Sequence, residues 1–156
     1  MKIIWDKEKV KSILPQREPF LFVDEVIELE EGKRIVARKY LDPELDFFKG
    51  HFPGNPVMPG VLTIEAMAQA GILVYVTARP KIVEQNPTYY FGSVNAKFRS
   101  PAHPGETLIL EAEIFKVANF GGVVDTKARV GDRMVAEARS IFAIKVDPDS
   151  NRDFAK

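Results

Sequence analysis

Two side chains suited to acid–base chemistry lie close together in the sequence, a histidine in a stiff loop and a glutamate in an apolar segment. His51 lies within FFKGHFPGNPVMPG, residues 47–60, which contains three prolines and three glycines. Glu65 follows within the most apolar stretch of the chain. Because proline fixes φ and removes a backbone donor, such a loop holds an imidazole in one place. A neutral imidazole accepts a proton near pH 7 and a desolvated carboxyl group donates one, so this pair predicts acid–base chemistry.

The loop ends where a helix begins, and the helix N-terminus adds a third chemical group. Pro59 and Gly60 mark that N-terminus in the sequence. Unpaired N–H groups and the positive end of the helix dipole stabilise a developing oxyanion there. A base, an acid and an oxyanion site suit removal of a proton next to a carbonyl group, combined with departure of a leaving group.

Both residues also have a purely structural interpretation. An isolated loop histidine is more often hydrogen-bonded to a backbone carbonyl group than catalytic. Glu65 and Gln69 are four residues apart and share one face of an otherwise apolar helix. Burial of an unpaired carboxylate costs several kcal/mol, so Glu65 either pairs with an unseen arginine or lysine or has a raised pKa. The sequence leaves these alternatives open.

One long helix and a set of strands must position these residues. VLTIEAMAQAGILVYV, residues 61–76, is rich in helix formers and too long for an average strand. It is apolar on almost every side, so it must be surrounded by protein. A short amphipathic helix near the N-terminus has Val10, Ile13 and Leu14 along its apolar edge.

The remaining pattern is that of antiparallel strands. They are predicted near residues 20–29, 34–40, 89–98, 108–114, 124–130 and 134–139. The simplest arrangement is an α+β domain in which one curved antiparallel sheet wraps the long helix. Such a sheet leaves an edge strand open, and pairing of two edges in a dimer would protect it.

Composition indicates one ordinary globular domain. The chain has 156 residues with 22 basic and 22 acidic side chains, without the basic excess typical of nucleic-acid-binding proteins. We assign residues 1–146 to a single domain and residues 147–156, DPDSNRDFAK, to a polar C-terminal tail.

Residue content also disfavours several classes of function. The absence of cysteine excludes disulfides, zinc–thiolate sites and cysteine nucleophiles. His51 and His103 match no local metal motif, so we expect no bound metal. The N-terminus has no continuous apolar core, and the long helix is short for a membrane span. We therefore expect a cytoplasmic protein without a secretory signal or membrane segment.

Three segments carry a family resemblance, in this order and at these spacings. They are LPQREPFLFVDEV, FFKGHFPGNPVMPGVLTIEAMAQAGI and YFGSVNAKFRSPAHPGE. Across residues 12–146 the chain resembles the (3R)-hydroxyacyl-(acyl-carrier-protein) dehydratases of type II fatty-acid synthesis, the hydroxymyristoyl dehydratase family. The resemblance implies a hot-dog fold, an acyl carrier protein as partner and no redox cofactor. It further implies a homodimer, commonly assembled as a trimer of dimers.

The resemblance also implies a role for each candidate residue. His51 is the general base for the α-proton, and Glu65 of the second subunit protonates the departing β-hydroxyl group. The backbone N–H of Gly60 holds the thioester oxygen, and the His51–Phe52 peptide bond is a candidate for a cis bond. The expected substrate contacts besides Gly60 are Phe52, Val61, Gln69 and Tyr90.

Some positions are ambiguous or depart from the family pattern. Tyr89–Phe91 lines an acyl tunnel in one interpretation and is plain core in the other, which strand statistics favour. Gln16 stands where the LPHR motif normally has histidine, and Asn95 where aspartate is usual; we interpret both as family variation. His103 lies in a turn and is expected to be a surface residue.

Two other functions share the hot-dog fold, an acyl thioesterase and a non-catalytic acyl-thioester-binding protein. The loop histidine argues against the thioesterase, because hydrolysis on such folds generally relies on a carboxylate to direct water. An acidic carrier protein requires a cationic entrance to the site. Lys97 with Arg99, or Arg79 with Lys81, are the candidates for that entrance.

Overall fold

A long helix packed on one antiparallel sheet forms the centre of the computed structural model, which describes residues 2–147. The helices are α1 (Lys7–Ile13), α2 (Phe47–Gly50) and α3 (Gly60–Ala78), with a 3-10 helix at Pro80–Gln85. The strands are β1 (Glu25–Glu30), β2 (Arg34–Tyr40), β3 (Pro87–Phe98), β4 (Thr107–Ala118), β5 (Gly121–Val130) and β6 (Arg133–Val146). Apart from Asp147, the predicted tail lies outside the described residues.

The sheet within residues 2–147 is antiparallel throughout and has the strand order β1-β2-β4-β5-β6-β3. Its six strands agree with the six predicted segments, and α3 extends the predicted helix by one residue at its start and two at its end. The α+β prediction is therefore confirmed. Buried residues alternate along β5, β6 and the first half of β4, which places one face of the sheet on the helix and the core.

One predicted strand is wrong at its start. Residues 20–24 were expected to begin a strand, but β1 begins at Glu25. The backbone N–H of Phe22 donates to the side-chain oxygen of Gln69 at 2.8 Å, and the Gln69 amide donates to the carbonyl of Phe20 at 2.9 Å. A helix side chain thus takes the hydrogen bonds that a neighbouring strand would have made.

Helix α3 is covered on all sides but one. Most of its residues are buried, including Met67, Ala70 and Leu73. Val61 is 74% exposed, and Glu65 and Ala68 are only partly buried. Because these three residues recur at the helical period, they form one open stripe along α3. The helix is long and apolar enough to cross a membrane by composition, but 67% of that window is buried, as in a core helix.

The two edges of the sheet differ in their protection. At the β1 edge, Val26 is hydrogen-bonded to Trp5 of the N-terminal segment. Strand β3 pairs only with β6 within the described chain, so its other edge is open. The large apolar side chains exposed along β3 are Tyr90, Phe91, Val94 and Phe98. A long apolar open edge is the kind of surface that a second chain covers.

Helix and sheet approach closely at Gly71. A Cβ atom at this position would lie 2.8 Å from Cγ2 of Val124 in β5. The missing side chain therefore sets how near α3 lies to the strand that also lines the Glu65 region.

We predict that Gly71→Ala lowers the free energy of unfolding by about 1–3 kcal/mol, because the added methyl group overpacks the core. Urea denaturation should also show that Val124→Ala relieves part of this loss. The double variant should then lose less stability than the sum of the losses in the two single variants. Gly50→Ala is the matched control, since its Cβ would meet no atom within 4 Å. A Gly71→Ala variant as stable as the wild type would contradict the close approach.

Candidate active site

The His51 loop is closed by its own backbone. The N–H of Val57 donates to the carbonyl of His51 at 2.8 Å, and Phe52 and Asn55 exchange two backbone hydrogen bonds at 3.0 and 2.9 Å. The N–H of Met58 donates to the carbonyl of Ala102, which ties the loop to the segment before β4. The His51–Phe52 peptide bond is cis, as predicted. The loop thus holds the imidazole by short-range contacts before α3 begins.

One hydrogen bond sets the tautomer of His51. Its Nδ1 lies 2.9 Å from the carbonyl oxygen of Val57. A carbonyl oxygen only accepts, so Nδ1 carries the hydrogen and Nε2 of the neutral ring keeps a free lone pair. The structural interpretation of a histidine bonded to a carbonyl group is therefore correct, and it leaves the ring prepared to act as a base. The ring stacks on Phe52 with a centroid distance of 4.0 Å.

The N-terminus of α3 provides the backbone donors. Gly60 is the first residue of the helix after Pro59, and no side chain caps this end. The first intrahelical donor is the N–H of Leu62, which bonds to the carbonyl of Pro59. A Cβ atom on Gly60 would lie 2.8 Å from the ring of Phe98, so a side chain at this position would displace that ring. Gly60, Phe98 and Arg99 line a recess of about 390 Å³.

Glu65 is held by amides. Burial raises the pKa of its carboxyl group, while hydrogen bonds from Gln69 and Gln16 partly oppose that rise. Within residues 2–147 these are the influences on its pKa, with no arginine or lysine among them. The alternative of a structural ion pair therefore has no support, and the raised pKa favours the protonated form needed by an acid.

Gln69 has no freedom left in its side chain. It is fully buried, its oxygen accepts from Phe22 and its amide nitrogen donates to Phe20 and, at 3.1 Å, to Oε1 of Glu65. These bonds fix which end of the amide faces Glu65. The predicted contact of Gln69 with substrate stays a prediction. The structure shows that Gln69 donates a hydrogen bond to the carboxyl group of Glu65 from a fixed position.

Gln16 is the residue that the sequence analysis missed. Its side chain is hydrogen-bonded to Glu65, although its own Oε1 is buried without a partner. Arg17 fixes the backbone beside it, donating to the carbonyl groups of Leu14 and Gln16 at 2.8 Å each. Its departure from the LPHR pattern marked Gln16 as unusual. Nothing in the sequence indicated that its side chain contacts Glu65 in the long helix.

A small cavity adjoins the carboxyl group. It measures about 40 Å³ and is lined by Gln16, Glu65, Tyr90 and Phe91 among others. This volume suits about one water molecule and not an acyl chain, so this cavity of the described chain is not by itself an acyl tunnel. Tyr90 is 54% and Phe91 44% exposed, so these two rings are not plain core.

The candidate residues fall into two groups, which we call half sites. One consists of His51, stacked on Phe52, and the Gly60 recess nine residues further along the chain, which neither of the two side chains lines. The other consists of Glu65 with Gln69 and Tyr90. His51 does not line the Glu65 cavity. Phe52 and Val61 are 51% and 74% exposed, so their predicted substrate contacts stay predictions.

Two other positions from the sequence lie elsewhere. His103 is bonded to Glu106 at 3.1 Å in a surface turn, as expected. Asn95 lines a charged recess formed by strands of the sheet, apart from the Glu65 cavity. The described residues contain no cluster of histidine and acidic residues suited to a metal ion.

Solved structures with the same architecture define the class of fold. A chain of the dehydratase heterocomplex ApeI:P from Xenorhabdus doucetiae matches with a TM-score of 0.75 and 15% identity, over 87% of this chain and 90% of that chain. A thioesterase from Haemophilus influenzae matches with a TM-score of 0.58 and 15% identity, over 83% and 82%. At such identities the likeness shows the fold alone, which is the hot-dog fold.

Sequence comparison assigns the family within that class. The FabA-like domain matches residues 14–139. The 3-hydroxyacyl-(acyl-carrier-protein) dehydratase FabZ of Enterococcus faecalis is 46% identical over 137 residues, covering 87% of this chain and 95% of the relative. That of Desulforamulus reducens is 45% identical over 139 residues, covering 89% and 96%. The chain belongs to the FabA-like family, and its resemblance to the dehydratases is confirmed.

We predict that Glu65→Gln stabilises the folded protein in a pH-dependent way. Because burial raises the pKa of Glu65 in the folded chain, the stability of the wild type falls as pH rises from the unfolded pKa through the folded one. Glutamine has no charge to desolvate. Urea denaturation should show the variant to be more stable than the wild type above the folded pKa, with a difference that shrinks below the unfolded value near 4.5.

The control for this measurement is Glu44→Gln, which alters an exposed carboxyl group. Its effect on stability should change little across the same pH range. A Glu65→Gln effect that is equally independent of pH would contradict a raised pKa for Glu65.

Proposed function

We propose that this protein is a hydro-lyase that converts (3R)-hydroxyacyl thioesters of an acyl carrier protein to trans-2-enoyl thioesters in fatty-acid biosynthesis. The observation that carries the proposal is that one chain contains both a histidine with Nε2 available as a base and a partly buried glutamate with a raised pKa. Relatives named as 3-hydroxyacyl-(acyl-carrier-protein) dehydratases match almost their whole length and support it. The reaction has no net redox change.

The proposed mechanism assigns one step to each group. Nε2 of His51 takes the α-proton, and the electron pair of that C–H bond forms the new double bond. The N–H groups at Gly60 stabilise the thioester oxygen as it gains enolate character. Glu65 transfers its proton to the β-hydroxyl group as the C–O bond breaks, releasing water. The protonated imidazole and the carboxylate then exchange protons with solvent.

The site is completed in our proposal by a second copy of the chain. The two half sites do not share a cavity, and the open stripe of α3 carries Glu65. The apolar edge of β3 lies beside the same cavity, through Tyr90 and Phe91. Pairing at this edge would cover both surfaces and bring His51 of the partner subunit to Glu65. Assembly of three dimers, which the resemblance implies, stays a prediction.

Mixing two inactive variants tests both the chemistry and the shared site. We predict that His51→Ala and Glu65→Ala each reduce dehydration by about 10²-fold or more. After subunits exchange, roughly half of the dimers contain one copy of each variant and one intact site, so about a quarter of wild-type activity returns. Enoyl-thioester absorbance follows the reaction, and size-exclusion chromatography confirms that each variant is folded and assembled.

The outcomes separate the alternatives. Near wild-type activity in either single variant would overturn the assigned chemistry. Loss in both variants without recovery on mixing would overturn the shared site alone. Release of free carrier thiol from a saturated acyl thioester would indicate the thioesterase, and stoichiometric binding without turnover would indicate the binding protein.

The carrier protein docks, in our proposal, on the side of Arg99. This residue lines the recess that contains Gly60, whose N–H holds the thioester oxygen in the proposed mechanism. It is half exposed and pairs with Glu137 at 3.2 Å. Arg79 caps the opposite end of α3, and a helix of 19 residues is about 28 Å long. Arg79 and Lys81 are therefore the less suitable of the two cationic pairs. We place the reaction in the cytoplasm.

We predict that Arg99→Gln lowers kcat/KM for a hydroxyacyl carrier protein about tenfold at low salt, because a lost surface charge slows encounter with an acidic partner. A short hydroxyacyl thioester without the carrier should be turned over as by the wild type. Arg79→Gln is the matched control and should leave kcat/KM unchanged for both substrates. A loss with Arg79→Gln and none with Arg99→Gln would place the docking surface at the other end of α3.

A further inference from the structure

Two glutamines hold Glu65, and they differ in freedom. Every polar atom of the Gln69 side chain is engaged, by Phe20, Phe22 and Glu65 itself. Gln16 also donates to Glu65, but its side-chain oxygen is buried and has no partner. Buried polar atoms are rarely left unsatisfied, so this oxygen requires an explanation. A water molecule in the adjoining cavity of about 40 Å³ is one candidate partner for this oxygen, and the protonated carboxyl group of Glu65, which lines the same cavity, is the other.

The protonation of Glu65 supplies the second of these partners. Gln69 donates to Oε1 of the carboxyl group in a fixed orientation, so the proton of the neutral acid belongs on Oε2. The O–H group of the acid is then a donor, and it cannot form a hydrogen bond with the N–H group of Gln16, which is also a donor. Rotation about the last side-chain bond of a glutamine exchanges its nitrogen and oxygen, and that torsion is soft. The oxygen of Gln16 becomes the acceptor that the acid requires.

We propose that Gln16 is a positioning residue that acts through Glu65, donating to the carboxylate and turning to accept from the carboxylic acid. The proposal rests on the assignment of Glu65 as the general acid. Gln16 thereby keeps the carboxyl group in place before proton transfer and stabilises the carboxylate afterwards. Its backbone is fixed for this task, since Arg17 donates to its carbonyl oxygen and to that of Leu14.

Apart from the amides of Gln16 and Gln69, the residues around Glu65 within the described chain include no charged group that would affect its protonation. From β3, Tyr89, Tyr90 and Phe91 line the cavity. From β5 and β6, Val124, Ser140 and Phe142 line it, and within the described chain no second carboxyl, lysine, arginine or histidine does so. In the proposed dimer, His51 of the partner subunit is added. Changing Gln16 therefore alters a hydrogen bond to Glu65 without removing a charge.

The test compares Gln16→Met with the wild type across pH. Methionine keeps the length of the side chain but neither donates nor accepts. We expect kcat to fall about tenfold or more with KM unchanged, because the hydrogen bond to the carboxylate is lost. The bond that Gln16 donates to the carboxylate is charge-assisted and stronger than the bond it accepts from the acid, so the loss of both raises the pKa of Glu65 further. Since the protonated form is the active one, the alkaline limb of the kcat profile should move to higher pH.

Two variants complete the comparison. Gln16→His has a side chain that both donates and accepts, and it should restore most of the lost kcat. Gln85→Met makes the same chemical change at an exposed position and should leave kcat and its pH profile unchanged. In the wild type, the ¹⁵N side-chain amide signals of Gln16 should shift with the titration of Glu65, a readout that holds even if Gln16→Met fails to fold.

Each result bears on the inference or on the proposed function. A Gln16→Met profile that falls equally at every pH, or that equals the Gln85→Met profile, would overturn the positioning role. Amide signals of Gln16 that do not shift as Glu65 titrates would also overturn the positioning role. If Glu65→Ala itself stays active, the proposed function fails first, and the two failures are thus distinguished.

Discussion

A carboxyl group on an apolar helix is the constraint on which this structure depends. Helix α3 has to be covered to be stable, yet the role that we propose for Glu65 requires that a substrate can reach it. The sheet satisfies both requirements by wrapping the helix on all sides except the stripe that carries Glu65. What covers the rest of the carboxyl group is a pair of amides, which hydrogen-bond to it without neutralising it by a counter-charge.

The same constraint explains an irregular part of the fold. Residues 20–24 lie outside the strands, because Gln69 takes the backbone groups of Phe20 and Phe22, and Asp24 is the first of them to bond to β2, through the carbonyl of Arg38. The segment that leads into β1 is thereby fixed to the helix one turn beyond Glu65. Gln16 lies four residues before this segment and is hydrogen-bonded to Glu65, so the chain that precedes β1 contacts the carboxyl group as well as Gln69.

Periodicity made most of the fold predictable, and local sequence made half of the site predictable. The six strands and α3 follow from apolar spacing, and prolines identify the loop that fixes His51. The role of Gln16 was not predictable, because no period relates it to Glu65 across 49 residues of chain. The predicted start of β1 at residue 20 was wrong for a related reason. The side chain of Gln69, distant in the sequence, replaces a neighbouring strand as the hydrogen-bonding partner of Phe22.

Burial links the acidity of Glu65 to the assembly of the protein. Desolvation is the largest cause of its raised pKa, and in one chain the carboxyl group is only partly covered. In the proposed dimer the exposed side chains of Val61 and Tyr90 would be covered as well, which removes more water from the same region. Contact with the second subunit would then strengthen the preference for the protonated acid while it supplies the base. A chain that remained alone would have the weaker preference and no histidine opposite its glutamate.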